Sequence, residues 1–145
     1  MRVTISESPC ARVNIHKPCS TALEPAVEKN FIDITSNISS NLKVLRRDIP
    51  DTMAGFSALA QAATRSGALD KKTKELIALA LGVAAHCEGC IGFHAETLVR
   101  LGASREEVEE TLGMAVYMGG GPSLMYAADA VAAYEQFMAR KNAEA

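Results

Sequence analysis

Two cysteines and a histidine lie close together in HCEGCIGFH, residues 86–94 of this 145-residue chain. Cys87 and Cys90 are three residues apart, and His94 follows Cys90 by four. On a helix these spacings place all three side chains on one face. Cysteines three apart on a helix are also near enough to form a disulfide. The segment therefore predicts a thiol pair that can cycle between dithiol and disulfide.

The reactivity of this pair depends on forming a thiolate, which is the nucleophilic form of cysteine. Both cysteines are expected near the start of a helix, where unpaired N–H groups and the helix dipole favour negative charge. His94 lies one turn from Cys90 and can take its proton, whereas Cys87 is seven residues from His94. This spacing favours Cys90 as the attacking thiol and Cys87 as the resolving thiol. Gly89 and Gly92 are expected to leave room for a small substrate.

Other uses of these residues stay open at this point. Cys87, Cys90 and His94, with His86 as a fourth ligand, could bind zinc. Ligands crowded into one helical segment close a tetrahedral cage poorly, so a metal site is not the favoured interpretation. A pair of buried structural thiols is a further alternative.

The composition is typical of a globular chain with one core, with 48% hydrophobic and 22% charged residues and a net charge of −2. We see no basic stripe, so nucleic acid is not an expected partner. The longest apolar run, residues 76–85, is about half of a membrane span, so no membrane partner is expected either. No signal-peptide pattern is visible. Together with the CxxC pair, these features favour a cytoplasmic protein.

The first 22 residues differ from the remainder of the chain. Pro9 and Pro18 would interrupt any helix, and two short alternating pieces, RVTI and RVNI, are compatible with a hairpin or an arm. A loose tail fits equally well. Cys10 and Cys19 lie in this part, where incidental thiols are the simpler interpretation.

Residues 23–145 are predicted to form one all-α domain of about six helices, because apolar residues recur at spacings of three and four. Pro50 should end the first helix. Asp70 is placed to cap an apolar helix that we expect to run through the middle of the fold. Ser104 and Glu107 have the spacing of a capping box. The GGGP run at 119–122 should break the chain before a last helix.

The stretch KELIALALGVAAHCEGCIGFHAETLVRLGASREEVEETLGMAVYMGGGP carries a more specific pattern, a glutamate followed twelve residues later by CxxCxxxH. It resembles the AhpD-like alkylhydroperoxidases of the carboxymuconolactone decarboxylase family, over roughly residues 50–138. The resemblance implies an all-helical fold and a homotrimer or homohexamer. It also implies an antioxidant peroxidase, an oxidoreductase that reduces small organic hydroperoxides through a redox-active disulfide. We expect no bound cofactor.

The resemblance also implies a role for each residue of the pattern. Cys90 would attack the hydroperoxide and become a sulfenic acid, and Cys87 would condense with it. His94 and Glu75 would relay the proton. The reductant would be a dithiol donor, such as a lipoylated or thioredoxin-like protein.

One departure from the pattern of these peroxidases bears on activity. The best-studied AhpD-like peroxidases carry a histidine immediately before the second cysteine, where this chain has Gly89. His86, just before Cys87, is a possible replacement in the relay. A protein dithiol–disulfide oxidoreductase is therefore the alternative function, and a structural zinc-binding helical module is a more distant one. Lactone decarboxylation is disfavoured, because the decarboxylases of the family generally lack the cysteine pair.

Glu75 poses a geometric question. On one straight helix it would lie about 18 Å from Cys87, at about 1.5 Å per residue. It can join the site only if the chain turns between them, near Gly82 or His86, or if it comes from another subunit. The alternative is a solvated residue in the first turn of a helix, favoured there by the dipole.

Overall fold

The computed structural model of the protein describes residues 29–145. This part of the chain contains helices and no strand, so the all-α prediction is confirmed for it. The helices are α1 (Phe31–Asp48), α2 (Pro50–Thr64), α3 (Lys71–Ala84), α4 (Glu88–Arg100) and α5 (Arg105–Ala143). The predicted arm at 1–22, with Cys10 and Cys19, lies outside the described residues.

The helix ends follow the local signals in the sequence. The Asp70 carboxylate accepts the Thr73 N–H at 2.7 Å and caps α3. Ser104 and Glu107 form both hydrogen bonds of the predicted capping box at the start of α5. Pro50 is the first residue of α2 and is separated from the end of α1 by Ile49 alone. Each of these signals acts within one turn of its own helix, which is why the sequence alone indicates it.

The helix α5 is interrupted at Gly120, whose φ of 67° and ψ of −151° are not helical. This backbone region strongly favours glycine. Beyond the bend, the later part of α5 runs back along its earlier part. Two contacts show this: the Tyr134 hydroxyl donates to the Ala103 carbonyl at 2.8 Å, and Glu135 pairs with Arg105. The break predicted from GGGP is therefore present. It divides α5 into a first segment, 105–119, and a second segment, 121–143, which gives six helical segments in the described residues.

The core lies between α3, α4 and both segments of α5, and α1 closes it with Phe31. Only one face of α3 belongs to it: Leu79 and Val83 are buried, whereas Ile77 and Leu81 are 46% and 64% exposed. We expected α3 to run through the middle of the fold. Its face with Leu79 and Val83 is buried in the core, but its face with Ile77 and Leu81 is exposed. The helix α2 has no buried residue at all.

Candidate active site

The chain reverses direction between α3 and α4 in a tight turn at 85–87. His86 has a φ of 55°, and the N–H groups of His86 and Cys87 donate to the carbonyls of Val83 and Gly82 at 3.1 and 3.0 Å. These bonds use carbonyl groups at the end of α3 that have no partner within the helix. Because of the turn, α4 packs back on α3, and residues far apart in sequence meet.

Glu75 and His94 meet across this pair of helices. The Nδ1 atom of His94 lies 2.7 Å from Oε2 of Glu75, and Glu75 is only 5% exposed. A buried carboxylate needs such a partner. When Nδ1 carries the proton and donates to Glu75, the other ring nitrogen, Nε2, is left as an acceptor. Glu75 is therefore a buried partner of His94 within the same chain and not a solvated first-turn residue.

The two cysteines lie at the start of α4. Cys87 is the N-cap residue of the helix, and its sulfur accepts the N–H of Cys90 at 3.2 Å. The two residues are joined as a disulfide with their Cα atoms 5.3 Å apart. The sequence spacing predicted that Cys87 lies on one face of the helix with Cys90 and His94. In the structure, Cys87 precedes the helix. Its sulfur instead lies beside backbone N–H groups that favour negative charge.

Cys90 and His94 line one open groove of about 310 Å³. Its other lining residues are small or apolar: Ala78, Leu81, Gly82 and Ala85. A Cβ atom at Gly82 would lie 3.2 Å from Cβ of Cys90, so the glycine permits the close approach of α4 to α3 here. The volume is near the lower end of the roughly 300–1,000 Å³ usual for small-molecule sites. The groove can therefore admit a small apolar molecule to the Cys90 sulfur.

The expectation that Gly89 and Gly92 leave room for substrate is wrong. A Cβ at Gly89 would lie 2.7 Å from Cδ1 of Ile38, and one at Gly92 would lie 2.6 Å from Cγ2 of Thr35. Both glycines therefore face α1 and allow it to pack closely on α4. They lie on the side of α4 that contacts α1 and do not line the groove.

His86, the possible relay residue, has a different neighbour from His94. Its ring stacks on that of Tyr126, with centroids 4.6 Å apart and planes 15° from parallel. Tyr126 lies in the second segment of α5, forty residues further along the chain. Sequence spacing contains no signal for such a long-range contact, and we did not predict it.

Within residues 29–145, no group of three or more histidine, cysteine, aspartate or glutamate side chains is arranged to hold a metal ion. The set considered for zinc, namely Cys87, Cys90, His94 and His86, is therefore not assembled in this part of the chain. None of the described helices has the length and apolar character needed to cross a membrane.

These features define an all-helical protein with a CxxC disulfide beside a buried glutamate–histidine pair. The family model of the carboxymuconolactone decarboxylase family matches residues 50–133. The chain belongs to the carboxymuconolactone decarboxylase family.

Solved structures of family members agree with this assignment, and a curated relative is similar to the chain over most of its own length. A structure of a carboxymuconolactone decarboxylase family protein from Legionella pneumophila, in its apo form, is 66% identical to this chain, with a TM-score of 0.74; the match covers 74% of this chain and 96% of that protein. A Thermotoga maritima family member, described as having a possible role in antioxidative response, is 34% identical, with a TM-score of 0.59 and coverage of 63% and 94%. An uncharacterized protein of Cupriavidus necator is 36% identical over 109 residues, which are 70% of this chain and 96% of that protein.

Proposed function

We propose that this protein is a thiol-dependent alkyl hydroperoxide reductase. The observation that carries the proposal is the placement of Cys90 and His94 in one groove, with His94 hydrogen-bonded to the buried Glu75 and Cys87 within disulfide distance of Cys90. A nucleophile, a base and a group that orients the base form the usual arrangement for nucleophilic catalysis. The description of the Thermotoga maritima relative in terms of antioxidative response points to the same class of activity.

In the first step, Nε2 of His94 takes the proton of the Cys90 thiol, and Glu75 stabilises the imidazolium that results. The Cys90 thiolate attacks the terminal, hydrogen-bearing oxygen of the hydroperoxide, the O–O bond breaks, and the alkoxide leaves. The alkoxide takes the proton from His94 and becomes an alcohol. Cys90 is now a sulfenic acid, and two electrons have passed from its sulfur to the peroxide.

In the second step, the Cys87 sulfur attacks the sulfenic sulfur of Cys90. The S–O bond breaks, the leaving hydroxide takes up the proton that the Cys87 thiol gives up and becomes water, and the disulfide forms. A dithiol donor, such as a lipoylated or thioredoxin-like protein, then restores both thiols by thiol–disulfide exchange. The apolar lining of the groove supports a small organic hydroperoxide as substrate. We place the protein in the cytoplasm, where glutathione and thioredoxin keep thiols reduced.

The proposal uses His94 as the only proton acceptor. The chain has Gly89 where the best-studied AhpD-like peroxidases have a histidine, and the ring of His86 is stacked on Tyr126. The second candidate function, exchange with protein disulfides, would need the cysteines but no peroxide-reactive thiol. Both cysteines are half-buried at a helix start, which leaves them accessible to a partner thiol.

A mass-spectrometric experiment separates the two functions. The reduced protein is exposed to an alkyl hydroperoxide for seconds, quenched and mapped, so that Cys10 and Cys19 are followed separately. We expect rapid formation of the Cys87–Cys90 disulfide, and a sulfenic acid trapped at Cys90 in the Cys87→Ser variant. Survival of both thiols, together with fast reduction of a protein disulfide by the dithiol form, would support the exchange function instead.

We further propose that the protein assembles as a homotrimer or homohexamer. Large apolar side chains are exposed on three helices of the single chain: Phe56, Leu59, Ile77, Leu81, Met114, Met118 and Met125. Exposed apolar surface of this extent is typical of protein–protein contacts. Light scattering after size-exclusion chromatography should give the mass of an oligomer, and the combined Phe56→Ser and Leu59→Ser substitutions should lower it. A stable monomer of the unmodified chain would contradict the assembly.

A further inference from the structure

Of the two residues that flank Cys87, one contacts the second segment of α5 directly and the other is linked to it through Lys29. On one side, the His86 ring stacks on the Tyr126 ring at 4.6 Å. On the other, the Glu88 carboxylate accepts a hydrogen bond from the Lys29 ammonium at 2.6 Å. The mechanism proposed above uses none of these four side chains.

Lys29 connects Glu88 to α5. Its ammonium donates to the Asp129 carboxylate at 2.7 Å and lies 5.6 Å from the centre of the Tyr126 ring. Tyr126 and Asp129 are three residues apart, so they are neighbours on one face of the helix. A single turn of α5 therefore contacts the residue before Cys87 and, through Lys29, the residue after it. The hydrogen bonds to Asp129 and Glu88 raise the pKa of Lys29, so it stays charged over the physiological range.

The backbone of Lys29 is itself fixed to α5. The Gln136 side-chain amide donates to the Lys29 carbonyl at 2.8 Å, and its oxygen accepts the N–H of Phe31 at 2.7 Å. Surface ion pairs usually contribute little, because two flexible side chains must be ordered to form them. Here the backbone that carries the lysine is already held in place by Gln136. The bridge can therefore hold its partners more firmly than an isolated surface pair.

The turn that these contacts hold is one that a chain does not adopt readily. A non-glycine residue is uncommon in the left-handed region of backbone conformation, and His86 is in that region with a φ of 55°. Its conformation places Cys87 at the N-cap of α4 with its sulfur beside Cys90. When the disulfide is reduced, the covalent link between the two cysteines is lost, but the contacts of His86 and Glu88 do not involve the sulfur atoms.

We propose that Tyr126, Lys29 and Asp129 are positioning residues for Cys87. They keep the Cys87 sulfur within bonding distance of Cys90 in the dithiol and sulfenic acid states, so that ring closure starts from a preformed geometry. The catalytic consequence, faster condensation of Cys87 with a Cys90 sulfenic acid, rests on the proposed peroxidase function. The effect on the stability of the disulfide does not rest on it.

The test measures the equilibrium between the Cys87–Cys90 pair and glutathione, which needs no peroxide chemistry. In Tyr126→Leu and in Asp129→Asn we expect the equilibrium constant for disulfide formation to fall about tenfold, which raises the midpoint potential by about 30 mV. Tyr126→Phe retains the stacked ring and should match the unmodified protein. Tyr117→Leu makes the same change at an exposed tyrosine in the first segment of α5 and should also leave the equilibrium unchanged.

A second measurement follows the two steps with an alkyl hydroperoxide, with a sulfenic acid trap present. We expect the rate of sulfenic acid formation at Cys90 to stay within twofold in the Tyr126 and Asp129 variants, while ring closure slows and more sulfenic acid is trapped. Circular dichroism identifies variants that are folded, and Lys29→Met replaces any that is not.

The inference is overturned if folded Tyr126→Leu and Asp129→Asn keep the glutathione equilibrium within twofold. It is also overturned if sulfenic acid formation slows as much as ring closure, because that pattern indicates general damage to the site. If Cys90 of the unmodified protein does not react with hydroperoxide, the proposed function fails. The glutathione equilibrium still decides the positioning role in that case.

Discussion

The cysteine turn and the helix α2 differ in whether contacts within this chain cover their side chains. Around the turn, Glu75 is paired with His94, His86 is stacked, and the glycines of α4 lie against α1. In α2 no residue is buried, and Phe56 and Leu59 are 66% and 65% exposed. The residues of the turn are thus explained by contacts within one chain, whereas the apolar residues of α2 are not.

This contrast separates two kinds of constraint on the sequence. Where the contacts lie within the chain, a substitution should alter the fold or the chemistry of a single protomer. Where apolar residues are exposed, a substitution should leave the protomer almost unchanged and affect only what packs on it. Predictions for the two regions therefore have different sizes and, in one case, different signs.

The largest effect is expected for Glu75→Gln. The substitution keeps the size of the side chain but removes the charge that stabilises protonated His94, so proton transfer from Cys90 should be impaired. Positioned acid–base groups contribute about 10²–10⁴ to rate, and we expect at least a hundredfold slower oxidation of Cys90 by an alkyl hydroperoxide. The check is a rapid-mixing measurement of sulfenic acid formation in the Cys87→Ser background. A rate within threefold of the parent would remove Glu75 from the mechanism.

A matched pair of glycine substitutions compares the two regions directly. Gly92→Ala would place its Cβ 2.6 Å from Cγ2 of Thr35, whose hydroxyl is bonded to the Phe31 and Ile32 carbonyls and cannot move freely. Overpacking of this kind costs about 1–3 kcal/mol. Gly55→Ala in α2 meets nothing within 4 Å and should stabilise the helix by about 0.5–1 kcal/mol.

Denaturant unfolding measures both free energies. The expected result is a loss of stability for Gly92→Ala and a gain for Gly55→Ala. A loss at Gly55 as well would mean that another copy packs closely on α2 at that point, which would sharpen the assembly proposal. A gain at Gly92 would show that α1 can move away from α4, and the supporting role of that contact would be wrong.

Sequence patterns predicted those parts of the fold that depend on neighbours within one turn. The caps at Asp70 and Ser104 and the bend at GGGP are local, and all three are present. The spacing of apolar residues also predicted the helices themselves. It could not say whether this chain or another copy covers the apolar side of α2, because periodicity is the same in both cases.

The candidate site was less accessible from sequence. The cysteines and His94 stood out by their spacing, but Glu75 did so only through the family resemblance. Its position beside His94 depends on the reversal of the chain at His86, which entered the predictions from sequence only as a condition for Glu75 to join the site. Tyr126 was missed for the same reason, since its contact with His86 joins residues forty apart. Gly89 and Gly92 were misinterpreted because the sequence does not show that α1 lies against them.

The smallest effect is expected outside both regions, at the ion pair between Lys72 and Glu107. Their charged groups are 2.6 Å apart and join the first turn of α3 to the first turn of α5. The Lys72 ammonium, and next the Ser104 N–H, hold the pKa of Glu107 below its ordinary value of 4.5. A carboxylate with a lowered pKa stabilises the folded state above its ordinary pKa, and this contribution is lost as the pH falls through the lowered value.

Glu107→Gln keeps a capping-box residue but removes the charge. Its melting temperature should therefore lie slightly below that of the unmodified protein at pH 7, and the difference should shrink as the pH falls below 4.5. Thermal unfolding monitored by circular dichroism between pH 3 and 7 is the measurement. Lys72 is one turn before Glu75, yet we expect unchanged oxidation of Cys90, because Glu75 is held by His94 and by burial. A slower reaction in Glu107→Gln would instead show that the surface pair helps to place α3. An exposed contact would then affect the buried Glu75–His94 pair, which the contacts within the single chain do not predict.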